Sequence, residues 1–570
     1  MVTRSDILAI TYRVSQLPDS DAATTLPIGQ TIPAEFFEVI QTAFLLHTQS
    51  IDKQLSNKNI STTKRYQLLA YRGFNYQEFL TLWDKSIPVE NTKLHPIFEV
   101  LMLATQAQRK AFISSYQPDE ISYIQALIQL HSPIIPLFFY PLPARLLVGN
   151  LMKHTYISGQ SGSGKSEIMK LIWYGLQTKS SGKENGKYSL VFIDPHGDIS
   201  RELLALHLNL EEKERLIFFD PFLSNDKFPV LNPLETNNKS LSFVDTLAQS
   251  ISSALQELWP SAEMTLQMQT LLIPCIATLL LDENRSLKDL QNFMQNDPAL
   301  LALGKQSPFP AHRQFFETAF LNKSYEHTKA GIYTRIQSLL NNAGFYRATT
   351  GRSTVHLEKA INEGKIIIVR FTKDKGEEAS RAFNKLLIAR LQSIVLSRSD
   401  QVKEQRKSCF LFIDEFQNYL SPSIGLILEE SRKFGLHLVI ANQNLGQISD
   451  TRLLRTILSN TFTKIVGANG FKDLKDFSAE IGVKVTQLQQ LPPYKFYCKS
   501  GTNPAFVFDP AAFLVGHQPP FFLDKKQTTQ LKEYLVHQSG QYQKQEEVER
   551  SKAAAPNTPP KKKLEPKYKF

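Results

Sequence analysis

Residues 159–166 read Gly-Gln-Ser-Gly-Ser-Gly-Lys-Ser. Before them stands an apolar run with strand character, His154-Thr155-Tyr156-Ile157-Ser158, and after them a run with helical spacing, Glu167-Ile168-Met169-Lys170-Leu171-Ile172-Trp173. Few folds accept this order. Glycines at 159, 162 and 164 let the backbone curl around Ser163 and aim its N–H groups at an anion, and the helix N-terminus that follows adds a favourable dipole. Such a loop belongs between a buried strand and a helix, so an α/β fold is expected around it. Lys165 is suited to neutralise the β and γ phosphates of a nucleotide, and the Ser166 hydroxyl to ligate Mg²⁺.

A chain of 570 residues exceeds one ordinary core, and about two to four domains are expected. The net charge of +11 is unevenly spread. Residues 1–150 carry 12 basic and 12 acidic groups and residues 541–570 carry 8 and 4, which leaves +7 in 151–540, around the phosphate loop. That bias points mildly to a polyanion such as nucleic acid as partner. Cys275, Cys409 and Cys498 are far apart, odd in number and set in apolar runs. They read as packed thiols in a reducing cytoplasm, not as a disulfide framework or a metal site. No secretion signal opens the sequence, and the apolar runs 271–281 and 134–149 are short or broken by Pro136, Pro141, Pro143 and Pro274, so a soluble chain is expected.

Residues 1–130 read as a mostly helical domain, with amphipathic stretches at Ala34–Thr48 and Leu94–Tyr116. A Pro-rich linker or edge segment follows at 131–147. The α/β pattern fills 148–237 and returns at 346–515, with strands expected at Tyr188–Asp194, Arg215–Asp220, Lys365–Phe371, Ser408–Asp414, Leu436–Ala441 and Thr463–Val466. Between them, 238–345 reads as an all-helical insertion. After a C-terminal segment, 516–540, the Gln-, Lys- and Pro-rich tail 541–570 reads as disordered.

A phosphate loop needs a partner strand ending in acid. Cys409-Phe410-Leu411-Phe412-Ile413-Asp414-Glu415 supplies one. Asp414 suits a Mg²⁺ ion held through water, and Glu415 suits a base that polarises the attacking water. The run Leu436–Ala441 ends in Asn442-Gln443-Asn444, so an amide at a strand end is available to the γ-phosphate or its attacking water. Arg432, in Ser431-Arg432-Lys433-Phe434-Gly435, reads either as a solvated charge or as a finger toward another subunit. Asp194-Pro195-His196-Gly197-Asp198 places two carboxylates and an imidazole at a strand end, and Pro195 and Gly197 also suit a purely structural turn.

These pieces, in this order, resemble the FtsK/HerA superfamily of ring-forming P-loop motors, and within it the coupling ATPases of conjugative and type IV secretion systems. The resemblance covers roughly 150–515 and rests on 154–166, 194–198, Leu231-Asn232-Pro233-Leu234, Phe412–Gln417, Arg432–Gly435 and Ala441-Asn442-Gln443. It implies a RecA-like sheet with a helical domain set into it, a homo-hexameric ring, ATP and Mg²⁺ between subunits, and DNA drawn through a basic channel. It implies that Lys165 and Ser166 bind phosphate and Mg²⁺, and that Asp414 and Glu415 form the second acidic motif. Gln443 then senses the γ-phosphate and Arg432 reaches a neighbour's ATP. Such coupling proteins usually begin with membrane-spanning helices, which 1–150 lacks. The expectation is therefore a cytoplasmic protein, peripheral to the inner membrane only through a partner.

Three functions follow from these readings. The first is an ATP-driven DNA translocase serving a conjugation-like secretion channel, in contact with channel or relaxosome-like proteins. The second is a soluble DNA-processing or packaging ATPase of the same superfamily. The third is a docking platform for protein substrates that uses ATP to assemble. Stimulation of hydrolysis by DNA separates the first two from the third.

Overall fold

The computed structural model describes residues 25–31, 142–180, 188–259, 265–420, 422–448, 450–502, 505–510, 514 and 520–544. The expected helices at Ala34–Thr48 and Leu94–Tyr116, and the tail beyond 544, lie outside them. The strands are β1 (Thr25–Thr31), β2 (Leu142–Leu147), β3 (Thr155–Ser158), β4 (Tyr188–Ile193), β5 (Leu216–Phe219), β6 (Lys227–Phe228) and β7 (Ile366–Val369). Then come β8 (Ser408–Ile413), β9 (Leu436–Asn442), β10 (Thr463–Val466), β11 (Phe496–Ser500), β12 (Phe506–Pro510) and β13 (Gln543–Lys544). The chain divides into two units, Met1–Lys179 with Val439–Gly516, and Ser180–Leu438 with His517–Phe570. The fold is mixed α/β, with parallel strands and many helices.

In the first unit β3 lies parallel between β10 and the C-terminal part of β9, with Ser158 in register with both Val466 and Asn442. All four residues of β3 and of β10 are buried. Burial on both faces is what parallel strands require, and it explains runs without polar alternation. The helix Lys165–Ser180 covers this sheet with Ile168, Met169, Ile172, Trp173 and Leu176, all fully buried. Beyond β10 the sheet turns antiparallel through β11, β12, β1 and β2. Two expectations need correction here. Residues 25–31, inside the stretch read as helical, form a strand, and 142–147, inside the stretch read as a linker, form its antiparallel partner. Pro27 and Gly29 disguise β1, and the register indeed shifts between them.

The second unit holds the parallel order β8-β4-β7-β5, locked in register from Tyr188↔Ser408 to Ile193↔Ile413. Phe192 stacks on Phe412 with centroids 5.8 Å apart. The helix Glu377–Leu396 lies within this core with both faces buried. From Leu241 to Thr349 every described element is a helix. The chain of this stretch leaves and returns through one knot. Asn232, 1% exposed, donates from Nδ2 to Arg285 O at 2.6 Å and Gly351 O at 2.9 Å, and its Oδ1 accepts Leu234 N–H at 3.0 Å. Arg390 donates from one terminal nitrogen to the carbonyls of Asn232, Pro233 and Glu235, and burial pushes its pKa down to about 10.

The tail also needs correction at its start, because residues 541–544 are ordered. Gln541 Nε2 donates to Leu216 O at 2.7 Å and its Oε1 accepts Phe218 N–H at 3.3 Å. Tyr542, buried, donates to Phe218 O at 2.7 Å, and β13 pairs with β6. A Gln-rich composition hid this contact, which depends on one amide and one aromatic ring.

Candidate functional site

The first unit builds the phosphate loop as its residue types require. Gly162 and Gly164 sit at φ of 80° and 93°, where an L side chain is strained, and a Cβ at Gly159 would run into Ser163 Oγ. Ser163 N–H donates to Gln160 O at 3.1 Å, and Glu167 N–H to Gly164 O at 3.0 Å, closing the loop onto the helix. Lys165 opens that helix and is buried, with Ser166 half-buried beside it. Ser163 is 2% exposed and its Oγ has no hydrogen-bond partner in the protein. A buried hydroxyl left unsatisfied inside a curl of backbone amides fits a phosphate oxygen.

The flanks of the loop differ. On the β9 side Gly159 N–H donates to Asn442 O at 3.4 Å, which puts Gln443, half-buried, at the strand end beside the loop. Asn442 is fixed from both directions. The buried Tyr156 hydroxyl donates to its Oδ1 at 2.6 Å, and its Nδ2 donates to Asn444 O at 2.7 Å. On the β10 side Gln160 N–H donates to Ala468 O at 2.8 Å and Ser158 Oγ to Asn469 Oδ1 at 3.1 Å. Tyr494 N–H donates to Ser163 O at 3.0 Å. The structure thus brings Gly159, Gly162, Ser163, Gly164, Lys165, Ser166 and Gln443 together.

The second unit positions the acidic pair. Asp414, 5% exposed, follows β8, and its N–H donates to Ile193 O at 3.3 Å. Glu415, also buried, has a left-handed backbone with φ 48°, unusual for a residue with a side chain. Gln417 Nε2 donates to Glu415 Oε2 at 2.5 Å, and Asn418 donates from N and Nδ2 to Glu415 O. The turn therefore orients the carboxylate as well as the chain. Nearby, Tyr419 accepts Asn384 Nδ2 at 3.1 Å. Burial raises the pKa of its hydroxyl, and the charges of Asp194 and Asp414 add to that.

Asp194 proves to be a turn residue. Its two oxygens accept His196 N–H at 2.9 Å and Ser200 N–H at 2.8 Å, which fixes the start of the helix Asp198–Leu204. His196 and Asp198 are exposed, and Asp198 pairs with Arg201. Arg432 stands apart from the acidic pair on the turn Ser431–Phe434, exposed. Arg398 and Arg406 hold that turn by donating to Phe434 O and Lys433 O. Sequence reasoning assigned no role to Gln417, Tyr156 or Tyr494. The polar residue two positions past Glu415 was the available signal for the first; the others depend on contacts distant in sequence.

Residues 141–390 match the family of the HerA helicase central domain, and 408–490 match the family described as the TraM recognition site of TraD and TraG. No curated protein matches the chain. Among solved structures, the bacterial conjugative coupling protein TrwBΔN70 is 16% identical over 67% of this chain and 90% of its own, with a TM-score of 0.48. The plasmid coupling protein TrwB in complex with ADP and Mg²⁺ is 17% identical over 67% and 90%, with a TM-score of 0.49. VirB4 of Thermoanaerobacter pseudethanolicus is 14% identical over 63% and 89%, with a TM-score of 0.43. On its two family matches, the chain is similar to ATPases of the FtsK/HerA type and, over 408–490, to the coupling proteins TraD and TraG.

Proposed function

We propose that this ATPase is a motor that hydrolyses ATP to drive DNA toward a conjugation- or type IV secretion-like channel. The observation that carries the nucleotide part is the loop 159–166, with a buried unsatisfied Ser163 hydroxyl and Gln443 seated beside it. In this reading the loop amides and Lys165 hold the β and γ phosphates, and Ser166 holds Mg²⁺. Bound Mg²⁺ supplies charge neutralisation on the phosphate oxygens. Asp414 holds that ion through water, a pairing that rests on the order of the two motifs in the sequence. Glu415, aimed by Gln417, accepts the proton of the attacking water. Gln443 reads the terminal phosphate, and Arg432, on a turn pinned by two other arginines, serves the ATP of a neighbouring subunit in a homo-hexamer.

The net +7 of residues 151–540 supports DNA as the polyanion. The match of 408–490 to a TraM recognition site supports a relaxosome-like protein as the recruiting partner. No helix among the described residues is long and apolar enough to cross a membrane. The test is steady-state ATP hydrolysis with and without single- and double-stranded DNA, beside Glu415→Gln. Expected are stimulation by DNA and its loss in the variant with ATP binding kept. Turnover indifferent to DNA would transfer the assignment to a protein-docking platform, and rapid turnover by the variant would remove Glu415 as the base.

A further inference from the structure

The ring of Tyr494 lies on the phosphate loop, and the nucleotide reading leaves it unused. A Cβ built on Gly164 would stand 2.7 Å from Tyr494 Cδ1, so the ring covers the loop at the residue before Lys165. The Tyr494 backbone is left-handed, with φ 64°, and its N–H is spent on Ser163 O at 3.0 Å. Tyrosine gains nothing local from that conformation; glycine or asparagine would hold it at lower cost. The residue is nevertheless 53% exposed. A side chain present only to fill space against the loop would be buried, whereas this one keeps aromatic surface open at the edge of the anion site.

The two flanks of the loop fix which part of a nucleotide meets that surface. Gln443 stands on the β9 side, where the nucleotide reading puts the terminal phosphate. A triphosphate threaded through the loop from there emerges on the other flank, formed by β10, the turn at Ala468 and Asn469, and Tyr494. We infer that Tyr494 is the platform on which the base of the bound nucleoside triphosphate stacks. A π-face accepts any base, so the contact contributes affinity and holds the nucleoside still without choosing strongly between purines.

The inference rests on the nucleotide reading, and one comparison separates the two. ATP and inorganic triphosphate are titrated against the full chain, Tyr494→Ala, Tyr494→Phe and Lys165→Ala. Tyr494→Ala should weaken ATP about 10- to 100-fold and leave triphosphate within about twofold, while Tyr494→Phe stays near the parent for both. Equal weakening of both ligands by Tyr494→Ala would overturn the stacking role and leave the ring a brace for the loop, and so would no weakening of either. ATP binding unchanged in Lys165→Ala would overturn the nucleotide reading itself. Tyr494→Trp gives a second readout: ATP, and not triphosphate, should quench the added emission. Equal quenching by both, or by neither, refutes the contact.

Discussion

Asn232 is where the structure makes its sharpest quantitative demand. One buried amide ties the chain entering the helical stretch to Arg285 within it and to Gly351 on the chain leaving it, and accepts the N–H of Leu234. Asn232→Ala deletes all three hydrogen bonds and leaves those groups without the partner they had. Counting the N–H in full and the carbonyls near the low end of the cost of stranding a buried polar group gives a loss of about 3 to 5 kcal/mol. Asn232→Asp sharpens the argument. Its carboxyl keeps the acceptor for Leu234 but faces the Arg285 and Gly351 carbonyls, so it is held protonated. Its folded-state pKa then rises above the unfolded value of about 3.9. The folded state binds more protons than the unfolded one across that window, so stability relative to the parent is kept at low pH and lost as pH rises through the raised pKa. Urea unfolding followed by tryptophan fluorescence at about pH 4.5 and 7.5 measures both effects. An alanine variant within about 1 kcal/mol of the parent would refute the count of bonds, and a pH-independent gap for Asn232→Asp would refute the proposed protonation.

Two further expectations concern the site. Gln417→Ala removes the donor on the Glu415 carboxylate, so steady-state turnover should fall about 10-fold with ATP affinity unchanged; undiminished turnover would show that the turn alone aims Glu415. Tyr156→Phe leaves Asn442 Oδ1 buried without its donor and should cost about 1 to 3 kcal/mol. A double-mutant cycle with Asn442→Ala should show coupling between the two positions, and strict additivity would mean that the bond does not stabilise the fold.

The parallel strands were legible because burial on both faces leaves a continuous apolar run. Tyr188–Ile193, Ser408–Ile413 and Leu436–Asn442 all end within one residue of where their pattern stops. The loop was legible because Gly162 and Gly164 supply the positive φ that its curl needs. The antiparallel part was not. Phe496–Ser500 is half-buried in alternation, which a short sequence window does not separate from a loop, and Thr25–Thr31 contains a proline and a glycine. Asp194 admitted two readings from sequence, and only the hydrogen bonds to His196 and Ser200 choose the turn. Tyr494 and Gly164 are far apart in the chain, and no local pattern announces their contact.

The amide of Gln541 has a consequence for how this molecule is made. β5 ends its sheet order, and an uncovered sheet edge invites pairing with another chain. Here a side chain stands in for the missing strand, supplying a donor to Leu216 and an acceptor to Phe218 from more than 300 residues downstream. A nascent chain emerging N-terminus first therefore carries an open, fully apolar strand edge until residue 541 has left the ribosome. During that interval, the hazard of this fold is aggregation through β5, and the covering segment acts as a built-in stopper that is made long after the strand it covers.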